Sequence, residues 1–177
     1  DALHEARFDT VLRGRLASAI EHNLQWFAES GMLIIPDGSG GVLEGFSSDI
    51  DIDGNQQPFN FEGTPRERAD CNVQSATAFL YSGQVLRNAS WSAIGKNLIE
   101  FSIREFQFDD GEVYSGLWRW FRRGTRARVF YSDDNGWCGF MNLLRGVHTG
   151  EEYALRSGLS TAIALRRTWG ANGHRRR

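Results

Sequence analysis

The chain repeats itself. At an offset of 63 residues Asp70 meets Asp133, Asn72 meets Asn135, Gly83 meets Gly146 and Gly95 meets Gly158. At an offset of 74 residues, Ser18-Ala19-Ile20, Asn23-Leu24 and Phe27 meet Ser92-Ala93-Ile94, Asn97-Leu98 and Phe101. Self-similarity of this kind means that one supersecondary unit is stacked on others like it, each covering a face its neighbour cannot bury alone.

The unit is helical. Apolar residues recur at three- and four-residue steps over 4–29 (Phe8, Val11, Leu12, Leu16, Ala19, Ile20, Leu24, Phe27), which predicts an amphipathic helix stopped by Gly31. Further helices are expected over 70–87, 90–107, 133–148 and 151–168. The 70–87 and 133–148 segments are apolar nearly all round, as an inner layer would be; the other three are amphipathic, as an outer layer would be. Connections from inner to outer helix are short turns at 88–89 and 149–150, and those from outer to inner are long, 30–69 and 108–132. The first long connection is dense in Gly, Pro and Asp, which excludes a long helix there. No strand is expected with any strength; Met32–Ile35 and Arg128–Tyr131 are the extended candidates. In hairpins packed side by side, all long connections fall on one face. That face would gather Glu44, Asp70, Trp118, Trp120, Tyr131, Asp133, Asp134 and Trp137, with the tail at Asn172-Gly173-His174 opening the next connection.

Composition removes several function classes. The formal net charge of −2 gives no electrostatic footprint for nucleic acid. No apolar run reaches membrane-spanning length, so no membrane partner is expected. Cys71 and Cys138 lack metal-ligand spacing, as do the four histidines, so free buried thiols and no metal or other cofactor are the expectation.

The alternation of inner and outer helices, over all 177 residues, resembles the (α/α) toroid proteins of the six-hairpin glycosidase superfamily. The expected fold is therefore all-α, a partial (α/α) toroid with its long loops on one face, in a single helical-hairpin domain spanning 1–177. Tyr131-x-x-Asp133-Asp134-Asn135-x-Trp137 is similar to the Asp-Asp-Asn-x-Trp segment of the endo-α-1,6-mannanase family. Gly40-Gly41-Val42-x-Glu44-Gly45 and Gly116-Leu117-Trp118-x-Trp120 resemble loop motifs of bacterial toroid proteins without a settled activity. A closed toroid of this type has six hairpins and this chain holds about two and a half, so a segment of a longer protein is expected, with that protein's remaining hairpins as partners.

The resemblance implies a saccharide ligand and glycoside hydrolysis, with Asp133 and Asp134 sharing the nucleophile and acid/base roles. Glycoside hydrolysis needs one ionised and one protonated carboxyl, and two close carboxyls separate their pKa values by repulsion. Three duties fit the pair: capping and charge complementarity at a helix start that Ser132 would cap, binding of a polar ligand, or catalysis. Asp70 admits the same structural reading. Glu44, in a Gly-rich loop with no helix to cap, is the next candidate acid or base. Trp118, Trp120, Tyr131, Asn135 and Trp137 are candidate binding residues, because flat aromatic faces suit the C–H faces of sugar rings; packing under a long loop is the alternative for each Trp. The rival function classes are a non-catalytic carbohydrate-binding domain and a helical scaffold for protein partners.

Overall fold

The computed structural model describes residues 2–50, 53–61, 63–109, 111 and 114–169. Among these, five helices carry most of the chain: α1 (Ala2–Glu29), α2 (Ala69–Val85), α3 (Ala89–Phe106), α4 (Ser132–Thr149) and α5 (Glu152–Arg167). The protein is mostly helical with little strand, an all-α fold. Asn88 caps α3, its side-chain oxygen accepting from Trp91 N at 3.2 Å. Gly150, in the left-handed region at φ 72°, closes α4 and turns the chain into α5. The two tight turns make two antiparallel hairpins, α2–α3 and α4–α5, and α2 and α4 pack side by side between them. Helices α2 and α4 start at the same end, where Arg68 beside α2 reaches Asp134 on α4.

The core between these layers contains Val73, Ala76, Phe79, Leu98, Phe101, Phe106, Trp118 and Cys138. Each fully buried large side chain contributes about 1.5–3 kcal/mol over its exposed state. The C-terminal half of α1 joins this core through Leu24, Ile20 and Phe27, the last edge-on to Phe79 at 5.5 Å. Its N-terminal half does not: Val11, Leu12 and Leu16 are exposed, contrary to the amphipathic pattern, because no other described element lies over that stripe. The Phe8 side chain lies outside the described residues.

The offsets seen in the sequence recur as contacts. A Cβ on Gly83 would meet Ser92 N at 2.5 Å, and one on Gly146 would meet Leu155 N at 2.7 Å. A Cβ on Gly95 would meet Leu80 N at 2.5 Å, and one on Gly158 Leu143 N at 2.8 Å. The glycines are thus where the two helices of each hairpin touch backbone to backbone. The loops repeat as well. Met32 O accepts from Leu43 N and Phe106 O accepts from Arg119 N, at 2.9 and 3.0 Å, closing equivalent loops after α1 and α3.

Two expectations need correction. The 30–69 connection is partly β: β1 (Phe46–Ile50) pairs antiparallel with β2 (Gln56–Pro58), and β3 (Asn60–Phe61) with β4 (Thr64–Pro65). Ser132 is not the cap of α4; Tyr131 stands at that position without a side-chain cap, and Ser132 lies in the first turn.

Candidate functional site at the loop face

Residues of both long connections meet at the N-terminal end of α2 and α4, and an arginine holds them there. Arg68, extended at φ −109° and ψ 147°, precedes the first turn of α2. Its guanidinium pairs with three carboxylates from three parts of the chain. Nη1 donates to Glu44 Oε1 at 3.3 Å, and Nη2 donates to Asp70 Oδ2 at 2.9 Å and to Asp134 Oδ1 at 3.1 Å. Glu44 Oε1 also accepts from Arg66 Nη2 at 2.9 Å, while Arg66 Nε lies 2.6 Å from Oε2 as an ion-pair contact without hydrogen-bond geometry. Two cations therefore face three anions. Asp70 Oδ1 is buried with no hydrogen-bond partner among the described residues.

Charge and burial act in opposite directions on Asp134. Burial pushes its carboxyl up, the neighbouring Asp70 adds to this, and Arg68 pulls it down; the balance lies above the ordinary carboxylate value. The Cys71 thiol beside the cluster is pushed up to about 12, chiefly by burial and then by Asp70, so it is a protonated filler and no nucleophile at neutral pH. Cys138 is fully buried, and its thiol too is raised well above the ordinary value, chiefly by burial and then by Asp70. Both are free thiols.

Aromatic rings border the carboxylates. The Arg68 guanidinium lies 5.6 Å from the ring centre of Trp120. Trp120 stacks on Phe121 at 4.2 Å and meets Tyr131 edge-on at 4.7 Å. Tyr131 is exposed and Trp120 half-buried, so this pair can present a ring to a ligand.

The expected site residues thus divide. Glu44, Asp70 and Asp134 come together, with Trp120 and Tyr131 at their edge. Asp133, on the first turn of α4, is exposed to solvent, because neighbouring helix positions diverge by about 100°. Trp118 is fully buried and its indole N–H donates to Thr161 Oγ1 at 2.8 Å. Asn135 is fully buried too: its amide accepts from Trp118 N at 2.7 Å and donates to Trp118 O and Tyr131 O at 3.1 and 2.8 Å. Neither has a surface for a ligand, and both act by holding the loop. Trp137 is exposed beside Phe140 at 6.2 Å, on the outer flank of α4 and not in the cluster. His174 lies outside the described residues.

Arg68 and Arg66 are the residues that sequence reasoning passed over. Their signal is Arg66-Glu67-Arg68, two cations immediately before an inner-helix start that itself carries an acid. Among the described residues no group of three His, Cys, Asp or Glu side chains could hold a metal ion, and the cation amid the carboxylates is Arg68 itself. No described helix is long and apolar enough to cross a membrane. A groove of about 690 Å³ between α3 and α5, lined by Gln107, Tyr153, Ser157 and Ile163, contains none of these carboxylates. No protein-family model, curated protein or solved structure matches the chain.

Proposed function

We propose that the chain is an arc of an (α/α) toroid whose loop face binds an oligo- or polysaccharide, with Asp134 and Asp133 as the acid/base and nucleophile candidates of a glycoside hydrolase. The observation that carries this reading is the contrast within the pair. Asp134 is nearly buried and its carboxyl is raised; Asp133, next to it, is exposed. A raised and an open carboxyl side by side at a helix N-terminus, under Tyr131 and Trp120, suit the division of labour that glycoside hydrolysis requires. Glu44, tied to both Arg66 and Arg68, is the weaker candidate and serves first to anchor its loop. Asp134→Asn and Asp133→Asn in the full-length protein are each expected to abolish turnover of a susceptible glycan while leaving the circular-dichroism melt in place. Undiminished hydrolysis in both variants would sink the proposal.

A second reading draws on the ion pairs themselves. Arg68 pairs with Asp134, Asp70 and Glu44 together, as a purely binding or structural face would have it. It predicts saccharide affinity without turnover, lost in Tyr131→Ala and Trp120→Ala. A blank glycan array would leave the scaffold for protein partners.

A further inference from the structure

The second long connection carries charge that the carboxylate cluster does not use. Between Tyr114 and Ser132 stand five arginines, Arg119, Arg122, Arg123, Arg126 and Arg128, and no acid, in a chain whose net charge is −2. Trp120, Phe121, Phe130 and Tyr131 are interleaved with them. Charge of one sign concentrated in one loop makes a local field, and such a field selects the charge of what approaches it.

Only part of this charge is spent inside the protein. Arg122 pairs with Glu67 at 3.1 Å and with Glu105 at 2.9 Å. Glu105 gives its other oxygen to Arg104 at 3.2 Å, so neither oxygen is left for Arg119. The Arg119 guanidinium lies 4.4 Å from the ring centre of Phe108, and its Nε is buried with no hydrogen-bond partner among the described residues. Burial weakens its hold on the proton, Glu105 works against this, and the charge of Arg128 adds to the weakening. Two like charges thus stand close enough to repel, at the edge of an aromatic cluster. In that cluster Phe108 meets Phe130 at 5.5 Å, and Phe130 stacks on Tyr114 at 5.1 Å.

Arg126 belongs to the part of the loop that borders the carboxylates. Gly124, at φ 86°, turns the chain into a short 3-10 turn, Thr125–Arg128. The turn brings the Arg126 guanidinium to 5.5 Å from the ring centre of Trp120, over which Arg68 also lies at 5.6 Å. Phe121 stacks on the same indole, and Arg126 is exposed. A ligand that reaches Trp120 and Tyr131 therefore meets a guanidinium at the ring. A neutral sugar has to displace it. A sugar bearing an acid group keeps it, because that group accepts the paired N–H donors of the guanidinium.

We infer that the loop 119–128 selects an acidic saccharide, with acid groups received by Arg126 at Trp120 and by Arg119 and Arg128 beside Phe108. This deepens the saccharide reading and rests on it; the catalytic assignment of Asp133 and Asp134 plays no part in it.

Affinity electrophoresis of the 177-residue chain tests it. The gels contain polygalacturonate, polymannuronate, hyaluronate or dextran sulfate, each beside its uncharged counterpart, the carboxyl-reduced polymer or plain dextran. An acidic polymer is expected to bind about tenfold more tightly than its uncharged counterpart, and the gap to close as salt is raised. Whether the uronates or the sulfate show the gap identifies the acid group. Arg126→Gln and Arg128→Gln should each weaken that binding about five- to tenfold. Arg126→Lys should recover part of it, and Arg156→Gln on α5 should leave it unchanged, with the circular-dichroism melt in place in all four. Uncharged polymers bound as tightly would overturn the inference and leave the saccharide reading standing; no polymer bound at all would remove both. Single-stranded DNA held as tightly as the best acidic polymer, or an equal loss in Arg156→Gln, would mark a charge that selects no sugar and overturn it too.

Discussion

In the first hairpin Asn72 accepts from Val42 N at 2.8 Å and donates to Arg68 O at 2.8 Å; in the second, Asn135 does the same for Trp118 N and Tyr131 O. The glycine contacts coincide residue for residue, and the clamp and the loop closures recur, although the closed loops differ by two residues between their bonded ends. The side chains around the clamp do not. Arg68, Asp70 and Cys71 at the start of α2 correspond to Tyr131, Asp133 and Asp134 at the start of α4. A contact that recurs is what any unit needs in order to stack. A difference at an equivalent position is free to serve the molecule once, and here the differences supply Arg68, the raised carboxyl and the exposed tyrosine of the loop face. The comparison thus separates scaffold from site without any relative to align.

The largest effect should come from the cation. Arg68→Met leaves Glu44, Asp70 and Asp134 facing one another with Arg66 alone to balance them. Removing one partner from a mostly buried pairing costs about 3 kcal/mol or more, and the Arg68 side chain is 22% exposed, so about 3 kcal/mol in a urea titration at neutral pH is expected. Tyr131→Ala at the equivalent position should cost less than about 1 kcal/mol, the range of a surface substitution. If the two variants melt alike, the cluster is a solvated decoration and the site reading loses its frame.

The scaffold side is broken at the clamps. Asn72→Ala and Asn135→Ala each strand a backbone N–H and C=O pair inside the core, and an unsatisfied buried group costs about 1–3 kcal/mol. Both variants should lose about 2 kcal/mol, and by similar amounts. A loss confined to one hairpin would show that the matching geometry does not carry matching energy.

The helices were legible because their signals are local and periodic. Asn88 with its short turn, the apolar steps of α3 and α5, and Gly150 as the stop of α4 each act within a few residues. The repeat was legible because its anchors are Gly and Asn, residue types with few substitutes at a close backbone contact or an amide clamp. What stayed hidden depends on partners far away in the chain. Trp118 looks like a ligand-binding ring until Thr161, far along the chain on α5, accepts a hydrogen bond from its indole N–H. Glu44 looks like a free loop acid until Arg66 and Arg68 fold back on it. The β1–β2 and β3–β4 pairings fall in a stretch whose Gly and Pro announce turns but not which residues pair across them.

The smallest difference lies at the turns. Asn88 and Glu151 are equivalent by the same offset and both precede an outer helix. Asn88 caps α3 and does not titrate. Glu151 makes no cap bond to α5; it accepts from Arg145 and from Thr149 Oγ1, the latter at 3.0 Å, while Arg145 also donates to the Tyr153 hydroxyl. Burial pushes the Glu151 carboxyl up, but the hydrogen bond and charge of Arg145, helped by Thr149, outweigh it and hold the group below its ordinary 4.5. A depressed carboxylate contributes stability that is present above the unfolded pKa and is lost as pH falls through the folded one. The α4–α5 turn should therefore loosen as pH drops below about 4.5, while the α2–α3 turn, closed by an amide, should not. The carboxylate is a quarter exposed, so less than about 1 kcal/mol is at stake. Amide exchange measured residue by residue at the two turns would detect it, and Glu151→Asn should make the second turn behave like the first. If both turns loosen together in the wild-type chain, the acid response belongs to the carboxylate cluster at the loop face, and Arg145–Glu151 is only a brace.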